Sequence, residues 1–134
     1  MGITVVRPVV VKAIVTETFK KQYLSELDDT VKRLDVVINQ IDTQIRRTEL
    51  ERQIAPQARA IRQQLEVERS RQEAARMELA ARIKEAEALE LQSEFSQGTI
   101  ESLVELSVGD NFFTRLARSE VVVKDGIVIE IREG

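Results

Sequence analysis

The amino-acid sequence predicts an α+β fold, in which a long antiparallel coiled-coil helical hairpin projects from a small antiparallel β-sheet formed by N- and C-terminal strands. Both ends of the 134-residue chain are rich in β-branched residues, which favour strands. The middle is a charged tract with aliphatic residues at heptad spacing. We treat the chain as one domain. Residues 1–16 hold the N-terminal strand or strands, residues 17–97 the helical hairpin turning near Pro56, and residues 99–134 the C-terminal strands.

The N-terminal strand is predicted from "VVVKAIV", residues 9–15, which are mostly β-branched. Pro8 has no backbone N–H to donate to a neighbouring strand. It therefore confines the stretch before it to a sheet edge, a strand start or a bend. Residues 3–7 are a candidate for a separate short strand.

The C-terminal strands are predicted from two segments. "SLVELSV" (102–108) alternates apolar and polar residues and is followed by a turn signal. In "EVVVKDGIVIEIRE" (120–133), Asp125-Gly126 favours a type I′ hairpin, because both central positions need a positive φ.

A two-residue turn there sets the strand register. It pairs Lys124 with Ile127, Val123 with Val128 and Val122 with Ile129. One face is then predicted to be buried, and it holds Val122, Ile127, Ile129 and Ile131. Between the strands, "NFFTRLARS" is predicted to be a loop or a helical turn, with Phe112 and Phe113 packing inward.

The first helix of the hairpin has the clearest periodicity. Thr16 is a predicted N-cap, and Glu17 is favourable in the first turn. Seven aliphatic residues follow at alternating spacings of three and four, which is the pattern of a coiled-coil seam. They are Leu24, Leu27, Val31, Leu34, Ile38, Ile41 and Ile45. Gly98 is the predicted stop of the second helix.

Pro56 decides between a hairpin and a continuous helix. If the helix continued, the heptad positions after Ile45 would be almost all polar and the seam would end. If the chain reverses near residue 55, Leu65, Leu79 and Ile83 of the second half lie opposite the first seam. Proline costs about 3 kcal/mol inside a helix but is favourable in the first turn of a new one. The hairpin is therefore preferred.

Two features oppose the hairpin. The proposed turn contains no Gly, Asn, Asp or Ser. The middle of the seam also sets aliphatic residues opposite Arg69, Gln72 and Arg76. Arginine stems cover aliphatic surface while their charged ends reach water. The alternatives are that a second chain covers that stretch, or that the helix runs through Pro56.

The composition argues against catalysis. The chain has no Cys and no His, so it lacks thiol chemistry and the commonest general base. No apolar run approaches the roughly 18 residues of a membrane span. No basic leader with a cleavage site indicates a signal peptide. We therefore predict a soluble cytoplasmic protein with no enzymatic activity, no cofactor, no metal and no membrane contact.

One acidic stripe is a candidate cation site. Glu87, Glu90 and Glu94 would lie along one side of the second helix, where carboxylate oxygens suit Mg²⁺ or Ca²⁺. No turn is available to wrap around an ion. A charged outer face, or pairing with a basic patch on another chain, is therefore the preferred interpretation.

The predicted hairpin tip is rich in arginine and is the candidate site for binding a partner. Five arginines cluster there and are suited to sequence-independent phosphate contacts. They are Arg46, Arg47, Arg52, Arg59 and Arg62. The alternative is that arginine serves only as a good helix former with acidic partners. We favour this alternative because no aromatic residue is interleaved for base stacking.

Three segments resemble the YlqD family of small uncharacterised bacterial proteins. They are "VVVKAIVTETFK" at 9–20, "VGDNF" at 108–112 and "VVVKDGIVIEIRE" at 121–133. Between the first two lies the long charged helical tract, which is less specific. The resemblance implies a cytoplasmic protein of unknown role and supplies no catalytic residues.

The resulting functional prediction is a non-enzymatic binding or scaffold module. A homo-oligomer is expected, because exposed sheet edges and a half-matched seam favour partners. The predicted contact surfaces for a protein partner are the arginine tip and the outer faces of the helices. The alternative function is an RNA- or ribosome-associated factor that binds through the arginine tip.

Overall fold

The computed structural model of the protein describes residues 1–51 and 56–133. Within those residues it has two long helices and a four-stranded sheet, which confirms the predicted α+β class. The elements are β1 (Gly2–Ile14), α1 (Glu17–Glu51), α2 (Ala58–Glu87), β2 (Glu94–Ser107), the one-turn helix α3 (Phe112–Arg115), β3 (Ser119–Lys124) and β4 (Ile127–Glu133). They divide into a strand unit, Met1–Lys20 with Leu89–Gly134, and a helix unit, Lys21–Ala88.

The sheet of the strand unit is mixed. Its strand order is β2-β1-β3-β4, with β1–β2 and β3–β4 antiparallel and β1–β3 parallel. The prediction of an antiparallel sheet is correct for the two outer pairs and wrong for the central one. The parallel pair arises because the segment after β2 crosses to the free side of β1 and enters β3 in the direction of β1.

Pro8 lies inside β1, which is one continuous strand from Gly2 to Ile14. β2 pairs with β1 along this whole length, whereas β3 pairs only with Val9 to Ala13. At Pro8, β1 therefore pairs with β2 on one side and with no strand on the other. A proline whose nitrogen faces the unpaired side removes no hydrogen bond from the sheet. Of the three alternatives predicted for the stretch before Pro8, the structure shows the edge position, and the prediction of a separate strand over residues 3–7 is wrong.

The predicted end of the second helix at Gly98 is wrong. α2 ends at Glu87, and the chain from Glu94 onward pairs with β1. Strand pairing with a distant segment thus overrides the helix-forming composition of residues 88–97. Gly98 has a φ of 146° and lies beside the bulge of the β1–β2 ladder. It allows a backbone conformation that other residues rarely adopt.

The type I′ turn between β3 and β4 is confirmed. Asp125 has a φ of 48° and Gly126 a φ of 82°, as this turn requires at both central positions. The turn also joins the start of α1. The Thr16 hydroxyl donates to Asp125 Oδ1 at 2.6 Å and accepts from the Phe19 amide at 3.1 Å. Thr16 therefore acts as the predicted N-cap of α1 and also connects the start of α1 to the β3–β4 turn.

The register beyond that turn differs from the prediction. The first two predicted pairs are confirmed, but a bulge follows, and Val122 pairs with Glu130 in place of Ile129. The extra residue reverses the alternation of the remaining side chains. The predicted buried face is therefore wrong for three of its four members. Val122 is 1% exposed, whereas Ile127, Ile129 and Ile131 are 68%, 53% and 66% exposed.

The predicted helical turn after β2 is confirmed as α3. The Asn111 side chain caps it by accepting from the Thr114 amide at 3.1 Å. The prediction that Phe112 and Phe113 pack inward is wrong, because they are 56% and 82% exposed. The two rings contact each other edge to face, with centroids 5.6 Å apart.

The aliphatic seam of α1 is confirmed as the covered side of that helix. Ile38 and Ile41 are 6% and 7% exposed. All seven seam residues are buried or half-buried: Leu24, Leu27, Val31, Leu34, Ile38, Ile41 and Ile45. In α2, Ala86 is 1% exposed, and Leu65, Leu79 and Ile83 are half-buried.

Three ion pairs join the two helices and show that they run antiparallel. Each joins an acidic residue of α1 to an arginine of α2, and along each helix the members are seven residues apart. Asp35 pairs with Arg76 at 2.6 Å, Asp42 with Arg69 at 2.6 Å, and Glu49 with Arg62. We call these three pairs the ion-pair ladder.

The ladder explains the polar middle of the seam. The guanidinium groups of Arg69 and Arg76 bind acids that directly follow seam residues of α1, so the half-buried stems lie along the seam. The chain reverses direction after α1 ends at Glu51 and before α2 begins at Ala58. Pro56 lies in a turn, and residues 52–55 of the predicted reversal lie outside the described residues.

The type I′ turn generates a stability prediction. Gly126→Ala should lower the free energy of unfolding by about 1–2 kcal/mol, because a side chain disfavours the left-handed conformation. Gly126→Asn is the matched control and should cost less, since asparagine tolerates this region better. Urea denaturation monitored by circular dichroism measures both. Equal losses for Ala and Asn would contradict the turn geometry.

The ion-pair ladder generates a register prediction. Asp42→Arg places two arginines opposite each other and should lower the Tm. Adding Arg69→Asp to the same chain restores opposite charges with reversed polarity and should recover part of that loss. Differential scanning calorimetry of the two single variants and the double variant measures the coupling. Additive losses would show that these two positions do not face each other.

Candidate functional site

The arginine tip is distributed over the two ends of the helices that meet at the reversal. Arg46 and Arg47 lie in the last turns of α1, and Arg59 and Arg62 in the first turns of α2. Three of these four are exposed, and Arg62 is half-buried. The fifth predicted member, Arg52, lies outside the described residues.

Arg62 already forms ion pairs with two carboxylates. Its guanidinium binds Glu49 of α1 as the last step of the ion-pair ladder and also binds Glu66 one turn along α2, at 3.2 Å. A phosphate would have to compete with two carboxylates for the same N–H groups. The structure thus gives Arg62 a role in pairing the helices, which the sequence pattern did not reveal.

The other described arginines of the tip differ from Arg62. Among residues 1–50 and 56–133, Arg46, Arg47 and Arg59 have no carboxylate within ion-pair distance. The side chain of Arg46 still contributes to the local field. The hydrogen bond from Arg69 is the main cause of a lowered pKa of Asp42, and the charge of Arg46 adds to it.

A cavity of about 610 Å³ opens at this end of the helix unit. Arg59 and Arg62 line it together with Glu66, so its charged wall carries both signs. The remaining lining residues are Thr48, Pro56, Ala58 and Gln63. This mixture lacks the convergent donors of a dedicated anion pocket. Any phosphate contact at the tip must therefore come mainly from the outward-facing arginines.

A second charged cluster, which the sequence analysis missed, lies on one face of the sheet. Lys12 of β1 contacts Glu120 of β3 at 3.2 Å and Glu94 of β2 at 3.9 Å. Arg132 of β4 contacts Glu94 at 2.5 Å, Glu120 at 3.3 Å and Glu130 at 3.1 Å. These five residues form the sheet-face network, which links all four strands.

Contacts within the network shift the pKa values of three of its members. The hydrogen bond from Arg132 is the main cause of a lowered pKa of Glu94. For Glu120, the hydrogen bond from Lys12 is the main cause of a lowered pKa, and Arg132 adds to it. The same contacts raise the pKa of Arg132. Every charge has an opposite partner, so the arrangement favours a structural role over a poised general acid or base.

The alternation of polar and apolar residues along the strands was the only feature of the sequence that indicated this network. Lys12 interrupts a β-branched run, Glu120 precedes one and Arg132 follows one, and all three face the same side once the strands are aligned. The alignment depends on the parallel β1–β3 pair and on the β4 bulge. Neither feature can be read from local sequence.

The candidate cation stripe is not formed. Glu87 ends α2, Glu90 lies in the connection that follows, and Glu94 lies in β2, where it belongs to the sheet-face network. Within the described part of the chain, no group of three His, Cys, Asp or Glu side chains is arranged to hold a metal ion.

The helices of the described ranges include none with the length and apolar character needed to cross a bilayer. The longest, α1, carries charged residues throughout its length. Its seam residues contact α2, and three further aliphatic residues of α1, Val36, Val37 and Leu50, are exposed.

Fold and charge distribution together define an α+β protein with an ion-paired helical hairpin and a mixed sheet whose strands come from both ends of the chain. The chain belongs to the YlqD family, whose model, described as YlqD protein, matches residues 3–132.

Two known proteins are similar to this chain over almost its whole length. The chain is 25% identical over 129 residues to a Bacillus subtilis (strain 168) protein described as "Uncharacterized protein YlqD", and the match covers 96% of this chain and 98% of the relative. A crystal structure of a protein of unknown function from Synechococcus sp. WH 8102 is similar with a TM-score of 0.81 and 26% identity. That match covers 99% of this chain and 96% of the other.

The lowered pKa values of Glu94 and Glu120 generate a pH prediction. A folded-state pKa below the unfolded value means that the network stabilises the fold above the unfolded pKa. That stability is lost as the pH falls through the folded pKa. The Tm difference between the parent and Glu94→Gln/Glu120→Gln should be largest near about pH 6 and should shrink toward about pH 3.

Thermal melts across this range measure the difference. Glu101→Gln/Glu105→Gln is the matched control, because it removes two exposed carboxylates of β2 that lie outside the network. Its Tm difference from the parent should be small throughout. A difference for the network variant that does not change with pH would contradict the assignment.

Proposed function

We propose that the protein is a non-enzymatic, oligomeric binding or scaffold module whose two helices form a coiled coil. The observation that carries this proposal is the number of large apolar side chains left exposed in the strand unit. Exposed apolar patches on soluble proteins mark contact surfaces. The members exposed by more than half are Met1, Ile3, Val6, Ile100, Leu103, Val108, Phe112, Phe113, Ile127, Val128, Ile129 and Ile131.

The helix unit offers a second contact surface. Val36, Val67 and Met77 are 57%, 56% and 69% exposed on the two helices, away from the α1 seam. They support the prediction that the outer faces of the helices contact a protein partner. The arginine tip is the other proposed contact. The cytoplasm stays the predicted compartment.

The ionisable groups also support a non-enzymatic role. The ion-pair ladder and the sheet-face network are built from opposite charges in contact, and both connect separate elements of the fold. Such groups orient helices and strands but have no free acid or base to offer a substrate.

Affinity capture tests the leading function. Tagged protein should retain specific protein partners from a cell extract, and these should survive nuclease treatment. Quantitative mass spectrometry compares treated and untreated samples against a tag-only control. Loss of all partners after nuclease would contradict the scaffold proposal and favour nucleic acid.

The second proposed function is RNA binding through the tip. It is supported by the exposure of Arg46, Arg47 and Arg59, which have no carboxylate partner among residues 1–50 and 56–133. Guanidinium groups on one end of a rigid hairpin suit contacts to the phosphate backbone. Arg52 and Arg62 complete the proposed set, with Arg62 limited by its contacts with Glu49 and Glu66.

A charge-reversal pair tests RNA binding. Arg46→Glu/Arg59→Glu should weaken binding of a fluorescent single-stranded RNA by about tenfold or more and lower the salt dependence by about two units of slope. Arg71→Glu/Arg82→Glu is the matched control, since it makes the same charge change on exposed positions of α2 away from the tip. Equal losses in both variants would exclude the tip as the binding site.

A further inference from the structure

β4 is an outer strand of the sheet. Within the described residues it pairs with β3 on one side, and no strand lies on its other side. Half of its backbone N–H and C=O groups therefore point outward, where they can extend the sheet. Natural sheets protect such an edge with proline, charged side chains, a bulge or a covering element. β4 has a bulge at Ile129 and three charged residues, but it contains neither proline nor lysine.

The side chains of β4 are also uncovered. Ile127, Val128, Ile129 and Ile131 are 68%, 54%, 53% and 66% exposed. Four of the seven residues of this strand are thus large aliphatic groups facing solvent. The exposure affects both faces of the strand, so a neighbouring strand could add cross-strand side-chain contacts on either face.

The opposite edge is different. β2 carries glutamates at positions 94, 101 and 105 and no basic residue. Self-pairing of β2 about Leu103 would place Glu101 opposite Glu105, and like charges directly opposite each other destabilise a sheet. Of the two outer strands, β4 is therefore the one suited to a second copy of itself.

We propose that β4 pairs antiparallel with β4 of a second copy of this chain, with Ile131 at the two-fold axis, so that two sheets join into one. This inference rests on the oligomeric state in the proposed function and names the surface that forms it. Antiparallel pairing of identical strands is self-complementary, so it produces a closed dimer. Backbone hydrogen bonds supply the contact, as in other cases of strand addition.

Charge complementarity selects this register. With Ile131 opposite itself, Glu130 of one copy lies opposite Arg132 of the other, and the reverse pair forms on the other side of the axis. Both residues lie on the face of the sheet-face network, so the network continues across the dimer. On the opposite face, the two Ile131 side chains meet and lose their exposure.

Neighbouring registers are less favourable. An axis at Glu130 would place the two Glu130 carboxylates opposite each other. An axis at Ile129 would pair Ile127 with Ile131, but the bulge puts these two residues on different faces of the sheet. From Glu130 to Glu133 the strand is regular. In this part, the register centred on Ile131 places side chains of the same sheet face opposite each other and pairs opposite charges.

The test is a pair of lysine substitutions on the two outer strands. Ile131→Lys would bring two positive charges together at the axis and should weaken dimerisation by at least about tenfold. Leu103→Lys is the matched control on β2, where the side chain is 75% exposed, and should leave the dimer unchanged. Sedimentation equilibrium measures association, and circular dichroism checks that each variant folds.

A cross-link provides a second readout, because the chain has no cysteine of its own. Ile131→Cys should form an intermolecular disulfide under mild oxidation, since directly opposite residues are within disulfide reach. Leu103→Cys should not.

The outcomes separate the inference from the function on which it rests. A parent protein that stays monomeric up to high concentration would overturn both the oligomer and the β4 pairing. A parent dimer unaffected by Ile131→Lys, or equal cross-linking of both cysteine variants, would overturn the β4 pairing alone and leave the oligomeric module in place.

Discussion

The antiparallel pairing of α1 with α2 is the constraint on which the rest of the structure depends. α1 contributes a continuous aliphatic seam. The facing side of α2 carries leucine, isoleucine and alanine interspersed with arginines. The arginines are accommodated because three acidic residues of α1, seven residues apart, lie beside the seam and bind them. Apolar burial supplies the attraction between the helices, while the ladder of opposite charges specifies one direction and one register. Because the chain has reversed, β2 can enter beside β1 and run against it over the whole length of that strand.

The same use of charge recurs in the sheet. Lys12 and Arg132 gather three glutamates on one face and so connect strands from both ends of the sequence. In both units, ion pairs between partly exposed groups contribute modestly to stability but discriminate between alternative alignments. The apolar groups that remain uncovered lie on β1, β2, β4 and α3 and on the outer faces of the helices. Charges are thus paired within each unit while large apolar side chains stay uncovered, which supports the proposed contact module.

Local signals were sufficient for much of this fold. The heptad spacing identified α1 and its covered side, Thr16 identified its start, and Asp125-Gly126 identified the hairpin turn. The failures involve distant partners. The composition of residues 88–97 favours helix, but pairing with β1 makes part of it strand. The β4 bulge shifted the exposed side of that strand by one residue. At the candidate site, clustering of arginines was visible in the sequence, but the engagement of Arg62 by Glu49 required the register of two helices.

The most direct test of the helix pairing is a distance between spin labels at Ser25 and Glu85, which are exposed positions near one end of the helix unit. The absence of native cysteine makes Ser25→Cys/Glu85→Cys specific for labelling. Double electron–electron resonance in a sample diluted with unlabelled protein reports the separation within one molecule. The account predicts a distance below about 30 Å, the diameter of two packed helices plus the labels. A separation approaching the roughly 90 Å of a continuous helix between these positions would contradict it.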